Sequence, residues 1–122
     1  MLQVWRAMMS FSRGDVVLVR FPNSDLKTYK KRPALVVQAD NLNTGLPQKI
    51  VAMITSNLTR SGQTRVLINK NSTIGKHMGI LNDSVIVADN LATVLEREID
   101  KVIGNCNDTT VVDDALRKVL AL

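Results

Sequence analysis

Three consecutive cations at residues 30–32 run directly into Pro33 and a short apolar, β-branched segment. Such a segment predicts a buried β-strand, and proline is tolerated at the first residue of a strand. We therefore expect the strand to begin at Pro33 and Arg32 to lie at the rim of a rigid sheet. An arginine held in this way can present its planar fork of donors to a phosphate with little further loss of freedom.

Hydroxyl and carboxylate side chains end two other apolar runs. Thr55 and Ser56 end the run at residues 50–56, and Asp89 ends the run at residues 84–89. A hydroxyl can donate a hydrogen bond to a phosphate oxygen, and a carboxylate can act as a general base. By residue type alone the set is ordinary, because hydroxyls at strand ends also satisfy backbone groups.

Other chemistries are disfavoured by what the sequence lacks. His77 is its one histidine and Cys106 its one cysteine, so a single chain offers no pair of imidazoles and no intrachain disulfide. No group of His, Cys, Asp and Glu has metal-ligand spacing, and there is no phosphate-cradling glycine loop of the GxxxxGKS type. The sequence therefore predicts no metal and no other cofactor, and it disfavours a metal-dependent nuclease, a Ser-His-Asp hydrolase and a nucleotide-dependent enzyme.

Charge is distributed unevenly along the 122 residues, whose formal net charge is +5. Residues 1–82 carry twelve Lys and Arg against three Asp, whereas residues 83–122 carry four against eight acidic residues. This asymmetry predicts one strongly basic side, which suits a nucleic acid or an acidic protein partner. The chain has only four aromatic residues, fewer than a base-stacking platform usually carries.

The elements that must position these residues are short strands. Apolar or alternating runs predict strands at residues 16–21, 33–38, 50–56, 64–69, 84–89, 92–95 and 100–104. Residues 22–31 and 71–82 are predicted to be loops, and an apolar stripe at helical spacing predicts a helix at about residues 110–121. This pattern favours a mainly β barrel or sandwich followed by one helix.

The chain is expected to fold as one domain, because its length is sufficient to bury a core without a disulfide or a metal. Residues 1–12 show no strand or helix periodicity and are predicted to be an N-terminal extension to a domain at residues 13–122. The apolar runs are far shorter than the ~20 residues needed to cross a bilayer, so we expect a cytoplasmic protein with no membrane partner.

Five sequence blocks, in this order and at this spacing, resemble the MazF/PemK-like family of bacterial toxins. They are Gly-Asp-Val at residues 14–16, Lys-Arg-Pro-Ala-Leu-Val-Val at 31–37, Ile-Thr-Ser at 54–56, Asp-Ser-Val-Ile at 83–86 and Leu-Ala-Thr-Val at 91–94. The resemblance implies an SH3-like β-barrel with a C-terminal helix, usually a homodimer. It also implies metal-independent, sequence-specific cleavage of single-stranded RNA (mRNA) that leaves 2′,3′-cyclic phosphate and 5′-hydroxyl ends.

The same resemblance suggests roles for individual residues. The family's arginine before proline falls on Arg32, its Thr or Ser at the end of the third strand falls on Thr55, and the acid found in some members after the Ser-Val-Ile strand falls on Asp89. We therefore expect these three residues to be catalytic. The residues expected to bind substrate are Ser56, Lys30, Lys31, Lys27 and Asn57.

Two positions depart from the family's pattern. Residues 22–31 lack the Glu or His that several members place before the arginine, and they offer Asp25, Lys27 and Tyr29 instead. Val87 stands where some members carry a second arginine. Asp89 and Asp25 are therefore the two candidates for a general base.

The resemblance also implies an antitoxin as protein partner. Its acidic or amphipathic tail is expected to lie across the basic groove near Arg32 and residues 22–31, and DNA is expected to be reached only through the antitoxin. Two alternatives stay open, namely a non-catalytic SH3-like module that binds RNA or protein, and a toxin on the same barrel that poisons DNA gyrase.

Overall fold

A computed structural model of the chain describes residues 11–59 and 62–122, and most of the predicted N-terminal extension at residues 1–12 lies outside this part. The described strands are β1 (Asp15–Pro22), β2 (Tyr29–Val36), β3 (Gln48–Thr55), β4 (Arg65–Ile68), β5 (Ser84–Leu95) and β6 (Ile99–Asn105). The described helices are α1 (Thr73–Met78) and α2 (Thr110–Leu120), with a 3-10 turn at Glu96–Glu98. None of the helices in these residues is long and apolar enough to span a membrane.

The strands form one antiparallel sheet in the order β4-β5-β3-β2-β1-β6. The prediction of a mainly β domain with a C-terminal helix is confirmed, and α2 lies where the apolar stripe placed it. The edge strands β4 and β6 do not pair with each other in the described residues, so hydrogen bonds do not close the sheet into a full barrel.

Both faces of the sheet are buried. Successive side chains of a strand point to opposite faces, and accordingly Val16 and Val17 of β1 belong to two separate apolar clusters. On the face of Val16, the cluster includes Met78 of α1 together with Val112 and Ala115 of α2. The two helices therefore cover this face.

The second apolar cluster is built from strands, and its buried members are Val17, Val19, Phe21, Ala34, Val36, Val51, Val94 and Ile99. Val94 of β5 packs in the same cluster as Val17 of β1, although β3 and β2 separate these strands in the sheet. The sheet must therefore curve around this cluster, which gives the molecule its open-barrel shape.

The prediction that the second strand begins at Pro33 is wrong. Strand β2 begins at Tyr29, and Pro33 lies within it opposite Leu18 of β1. Arg32 accordingly lies inside the strand opposite Val19, and it does not precede the strand.

The position of Pro33 is explained by the ladder on the other side of β2. Strand β3 pairs only with Ala34–Val36, because proline has no N–H to continue the ladder. The Val36 carbonyl accepts a hydrogen bond from Gly14 beside β1, and the Val37 N–H donates to Ile50 of β3. Backbone groups alternate between the two sides of a strand, so those of Pro33 face β3. The missing N–H ends the β2–β3 ladder, not the strand.

The predicted strands at residues 84–89 and 92–95 form one continuous strand, β5. Its ladder with β3 shifts between two adjacent pairs, since Ala52 pairs with Leu91 whereas Met53 pairs with Val87. Residues 88–90 form a bulge at this shift, and bulges of this kind re-aim side chains.

The prediction of a loop at residues 71–82 is wrong, because α1 lies within it. The Ser72 hydroxyl caps this helix by accepting a hydrogen bond from the Gly75 N–H at 3.0 Å, and Gly79 ends it with φ of 72°. A helix of six residues is too short to produce a helical repeat in the sequence, so its apolar pattern gave no signal.

Candidate active site

The site predicted from Arg32 and Thr55 lies where strands β2 and β3 separate. Ala34 and Met53 are the last pair of their ladder on this side. Continuing the same register by two residues places Arg32 opposite Thr55, on the same face of the sheet. The end of the ladder therefore places a guanidinium and a hydroxyl across from each other.

A cavity of about 270 Å³ opens at this point, and we call it the smaller cavity. Arg32 and Thr55 both line it, together with the apolar side chains of Met53, Val85 and Val87. The polar side chains in its wall include Asn23, Asn57, Asn90 and Arg65.

A second cavity of about 470 Å³, the larger cavity, shares Arg32 and Thr55 with the first. The predicted substrate-binding residues Lys30, Lys31 and Ser56 line the larger cavity. Asn57 lines the smaller cavity, and Lys27 lines neither. Arg32 and Thr55, two of the three predicted catalytic residues, therefore stand between two cavities that hold four of the five predicted binding residues.

Arg32 is half-buried and only partly satisfied by hydrogen bonds. Its Nη2 donates to Asn23 Oδ1 at 3.2 Å, whereas its buried Nε has no hydrogen-bond partner among the described residues. An unsatisfied buried donor costs about 1–3 kcal/mol, and such a group calls for an explanation. A donor buried in the wall of a cavity is well placed to meet an anionic oxygen.

A chain of hydrogen bonds connects Asp25 to Arg32. The Asp25 carboxylate accepts from the backbone N–H of Thr28 and of Lys27 and from the Thr28 hydroxyl. The Thr28 hydroxyl accepts from Asn23 Nδ2 at 3.0 Å, and Asn23 Oδ1 accepts from Arg32. Asp25 therefore orders the loop that orients the arginine.

The same hydrogen bonds lower the pKa of Asp25 below its ordinary value of 3.8, with the Thr28 backbone N–H as the largest cause and that of Lys27 next. The charged carboxylate is the form that holds the loop, so the order of the loop is expected to be complete above pH 3.8. It is expected to be lost only as the pH falls through the lower pKa of the folded protein.

An NMR titration of the Asp25 carboxyl carbon and of the Thr28 amide would test this expectation. Both signals should move together, with a midpoint below 3.8, and the Thr28 amide should lose its acid transition in Asp25→Asn. A midpoint at or above 3.8 would show that the loop hydrogen bonds do not stabilise the carboxylate.

Asp89 lies beside the smaller cavity but does not line it. Its carboxylate is paired with the Nη1 group of Arg65, and it is the Arg65 side chain that reaches the cavity wall. Within the described parts of the chain, no group of three or more His, Cys, Asp or Glu side chains is placed to hold a metal ion.

Arg65 lines the smaller cavity but was not among the site residues that the sequence analysis predicted. It pairs with Val87 across the β4–β5 ladder, so it stands beside the position where some members of the family carry a second arginine. Val66 and Ile68 are buried against the helices, and alternation puts Arg65 on the opposite face. This alternation was visible in the sequence, but the partner strand was not.

Positive and negative charges are less separated in the folded structure than they are along the sequence. Ion pairs in the described residues join cations from the first part of the chain to acids from the second, including Lys31 with Asp100 at 3.5 Å and Arg20 with Glu98 at 3.9 Å. Lys30 is in no such pair within the described residues. Of the cations that line the larger cavity, Lys31 is therefore balanced by Asp100 of β6.

Comparison with known proteins identifies the class to which this fold and site belong. The family described as PemK-like, MazF-like toxin of type II toxin-antitoxin system matches residues 12–120. The chain therefore belongs to this family of toxins. No curated protein matches the chain in sequence.

Solved structures of similar fold include proteins from mycobacteria and from Deinococcus radiodurans. The Mycobacterium tuberculosis toxin MazF-mt6 is 21% identical with a TM-score of 0.69, and the match covers 88% of this chain and 97% of that one. An endoribonuclease in complex with its cognate antitoxin from a mycobacterial species is 22% identical with a TM-score of 0.70, covering 93% and 97%. MazF from Deinococcus radiodurans is 19% identical with a TM-score of 0.69, covering 92% and 97%. These likenesses confirm the predicted fold.

Proposed function

We propose that this toxin is a metal-independent, sequence-specific endoribonuclease that cuts single-stranded RNA such as mRNA. The observation that carries the proposal is the position of Arg32 and Thr55 across from each other where the β2–β3 ladder ends. The buried Arg32 Nε beside them has no hydrogen-bond partner in the part of the chain that the structure describes. The mycobacterial structures described as endoribonucleases share this fold, which supports the same activity here.

The proposed reaction needs no metal ion or other cofactor. The ribose 2′-oxygen attacks the adjacent phosphorus in line, the bond from phosphorus to the 5′-oxygen breaks, and a 2′,3′-cyclic phosphate and a 5′-hydroxyl result. A base takes the proton from the 2′-hydroxyl, and an acid or water gives one to the leaving 5′-oxygen. Arg32 neutralises the charge that builds on the non-bridging oxygens, and Thr55 donates a hydrogen bond to one of them.

Two carboxylates near Arg32 are candidates for the general base, and each is engaged by other groups. Asp25 is engaged by hydrogen bonds in its own loop, which lower its pKa and weaken it as a base. Asp89 is paired with Arg65. Asp89 remains the candidate that the sequence predicts. The Asp89→Asn variant described below distinguishes the role of general base from that of positioning Arg65.

The partners are proposed from the family. A type II system pairs the toxin with an antitoxin protein, and a mycobacterial relative of this fold has been solved with its cognate antitoxin. We infer that the antitoxin of this chain lies across Arg32 and residues 22–31, where it would cover both cavities. We also infer that the toxin is a homodimer, that it contacts DNA only through the antitoxin and that it acts in the cytoplasm.

The test is incubation of the purified, antitoxin-free protein with a long single-stranded RNA in EDTA, followed by mapping of the fragment ends. Cuts at a short recurring motif with cyclic phosphate ends are expected. No cutting by folded protein in EDTA and in Mg²⁺ would refute the ribonuclease proposal. A gyrase relaxation assay and an RNA-binding assay on the same preparation would then distinguish the gyrase-poison and binding-module alternatives.

Lys30 and Lys31 are expected to contribute to RNA binding mainly through the phosphate backbone. Replacing both by alanine should weaken binding and make the slope of log K against log[salt] shallower by roughly 0.7 for each phosphate that the variant no longer neutralises, because fewer counterions are released from single-stranded RNA. The binding of a non-cleavable RNA at several salt concentrations measures this slope. A matched Lys70→Ala/Lys76→Ala variant, whose lysines line neither cavity, should keep the original slope. An unchanged slope in the Lys30/Lys31 variant would place the RNA elsewhere.

A further inference from the structure

Two arginines share the smaller cavity, but their charges are balanced differently. Arg32 forms no ion pair among the described residues, whereas Arg65 Nη1 donates to a carboxylate oxygen of Asp89. The Arg65 side chain is only 14% exposed. One arginine therefore offers an uncompensated positive charge, and the other is fixed and locally neutralised.

The fold specifically provides this neutralisation. Arg65 is held opposite Val87 in the β4–β5 ladder, and Asp89 belongs to the bulge at residues 88–90. A bulge changes the direction of the side chains it contains, and here it brings a carboxylate to the guanidinium of the neighbouring strand. The pair thus has two independent backbone supports.

A neutralised arginine keeps most of its donors while its attraction for an anion falls. The guanidinium has five N–H donors in a rigid fork, and Asp89 uses only part of them. The remaining donors suit a neutral group with two adjacent acceptors. Two bases present such a pair on an exposed edge, guanine in O6 and N7 and cytosine in O2 and N3, and the guanine pair is the one that arginine most commonly binds with two hydrogen bonds.

The rest of the smaller cavity also suits a base. Met53, Val85 and Val87 give it an apolar part against which a ring can pack, and the Asn57 and Asn90 amides can bond to base edges. Arg32, at the same cavity, is the group that would take the phosphate.

We propose that Arg65, held by Asp89, is a specificity-determining residue that hydrogen-bonds O6 and N7 of a guanine next to the phosphate bound at Arg32. This proposal rests on the proposed ribonuclease function, since it assigns a base to the RNA that this site would cut. It gives Asp89 a positioning role in place of the role of general base.

The test measures binding without cleavage. A random pool of 2′-fluoro RNA, which lacks the attacking hydroxyl, is selected on the wild-type protein and on Arg65→Gln, and the bound sequences are read. The wild-type pool should contain one position dominated by guanine. At this position alone Arg65→Gln should favour adenine, because glutamine pairs with adenine N6 and N7. Arg117→Gln removes an arginine paired with an aspartate outside both cavities and should leave the selected motif unchanged.

A single-atom change in the RNA sharpens this test. Placing 7-deazaguanine at the selected position should weaken wild-type binding by about 10- to 100-fold and should hardly affect Arg65→Gln. Arg65→Ala removes every donor at this position and should lose the guanine preference without gaining one for adenine, which covers the case of a glutamine variant that fails to fold. A guanine preference retained in either folded variant would overturn the proposal. The proposal would also be overturned if the variants lost affinity equally for all sequences and showed a shallower salt slope, because that behaviour indicates a phosphate contact.

Asp89→Asn distinguishes the two roles of Asp89. If Asp89 positions Arg65, the variant should have a weaker guanine preference. Its RNA affinity should also depend more steeply on salt, because Arg65 regains its full charge. A lower cleavage rate with an unchanged motif would make Asp89 the general base and overturn the proposal. Guanine selection through Arg65 by a protein that cuts no RNA would instead refute the ribonuclease function and leave the base-recognition assignment standing.

Discussion

Replacing Arg32 by alanine is expected to reduce RNA cleavage by about 10²- to 10³-fold or more. The guanidinium is the group that meets the charge developing on the phosphate, and the loss of one preorganised donor of this kind has an effect of this size. The measurement is the single-turnover rate on an oligonucleotide that contains the mapped motif, at a protein concentration that saturates it. Arg32→Lys should remain strongly impaired, because an ammonium cannot reproduce the planar fork or the buried Nε donor.

The same replacement is expected to leave the fold intact. Arg32 holds its place in β2 through backbone pairing with Val19, and its side chain makes one hydrogen bond within residues 11–59 and 62–122, to Asn23. The variant also removes a buried donor that has no partner in the described residues, so its free energy of unfolding should not fall. Urea unfolding measures this, with Arg117→Ala as the surface control. Unimpaired cleavage by a folded Arg32→Ala protein would remove this residue from the mechanism.

Much of the fold could be predicted from the sequence because the strands are β-branched and apolar and the last helix has a clear stripe. The wrong predictions concern residues whose structural role depends on a neighbour distant in sequence. The sequence shows that Pro33 lacks an N–H, but only the pairing shows that the missing donor faces β3 and ends a ladder. The cleft between Arg32 and Thr55 follows from this fact.

The candidate site likewise has one part that the sequence predicts and one part that depends on strand pairing. The order of the sequence blocks led to Arg32 and Thr55, which the structure brings together at the two cavities. Arg65 had no such signal, because its importance comes from the β4–β5 register and from the bulge that carries Asp89. A short strand with one exposed face offers too little pattern to identify its partner, and pairing register is a tertiary property.

Helix α1 depends in the same way on a distant contact, and this dependence predicts a large loss of stability in Gly79→Ala. The residue has φ of 72°, and a Cβ added to it would lie 2.1 Å from the Ile103 carbonyl oxygen of β6. The left-handed conformation costs a non-glycine residue about 1–2 kcal/mol, and the overpacking adds about 1–3 kcal/mol. We therefore expect Gly79→Ala to lose about 2–5 kcal/mol in urea unfolding.

Substitutions at two other glycines separate the conformational cost from the steric cost. Gly45 has nearly the same φ, 73°, but its added Cβ would have no atom within 4 Å, so Gly45→Ala should show the conformational cost alone. Gly104 has no positive φ, and its added Cβ would lie 2.3 Å from the Met78 carbonyl oxygen, so Gly104→Ala should show the steric cost alone. Equal losses in Gly79→Ala and Gly45→Ala would show that the end of α1 can move away from β6 without cost. Gly79 also lines the larger cavity. In that case the close contact between α1 and β6 would not be what holds the Gly79 side of the larger cavity in place.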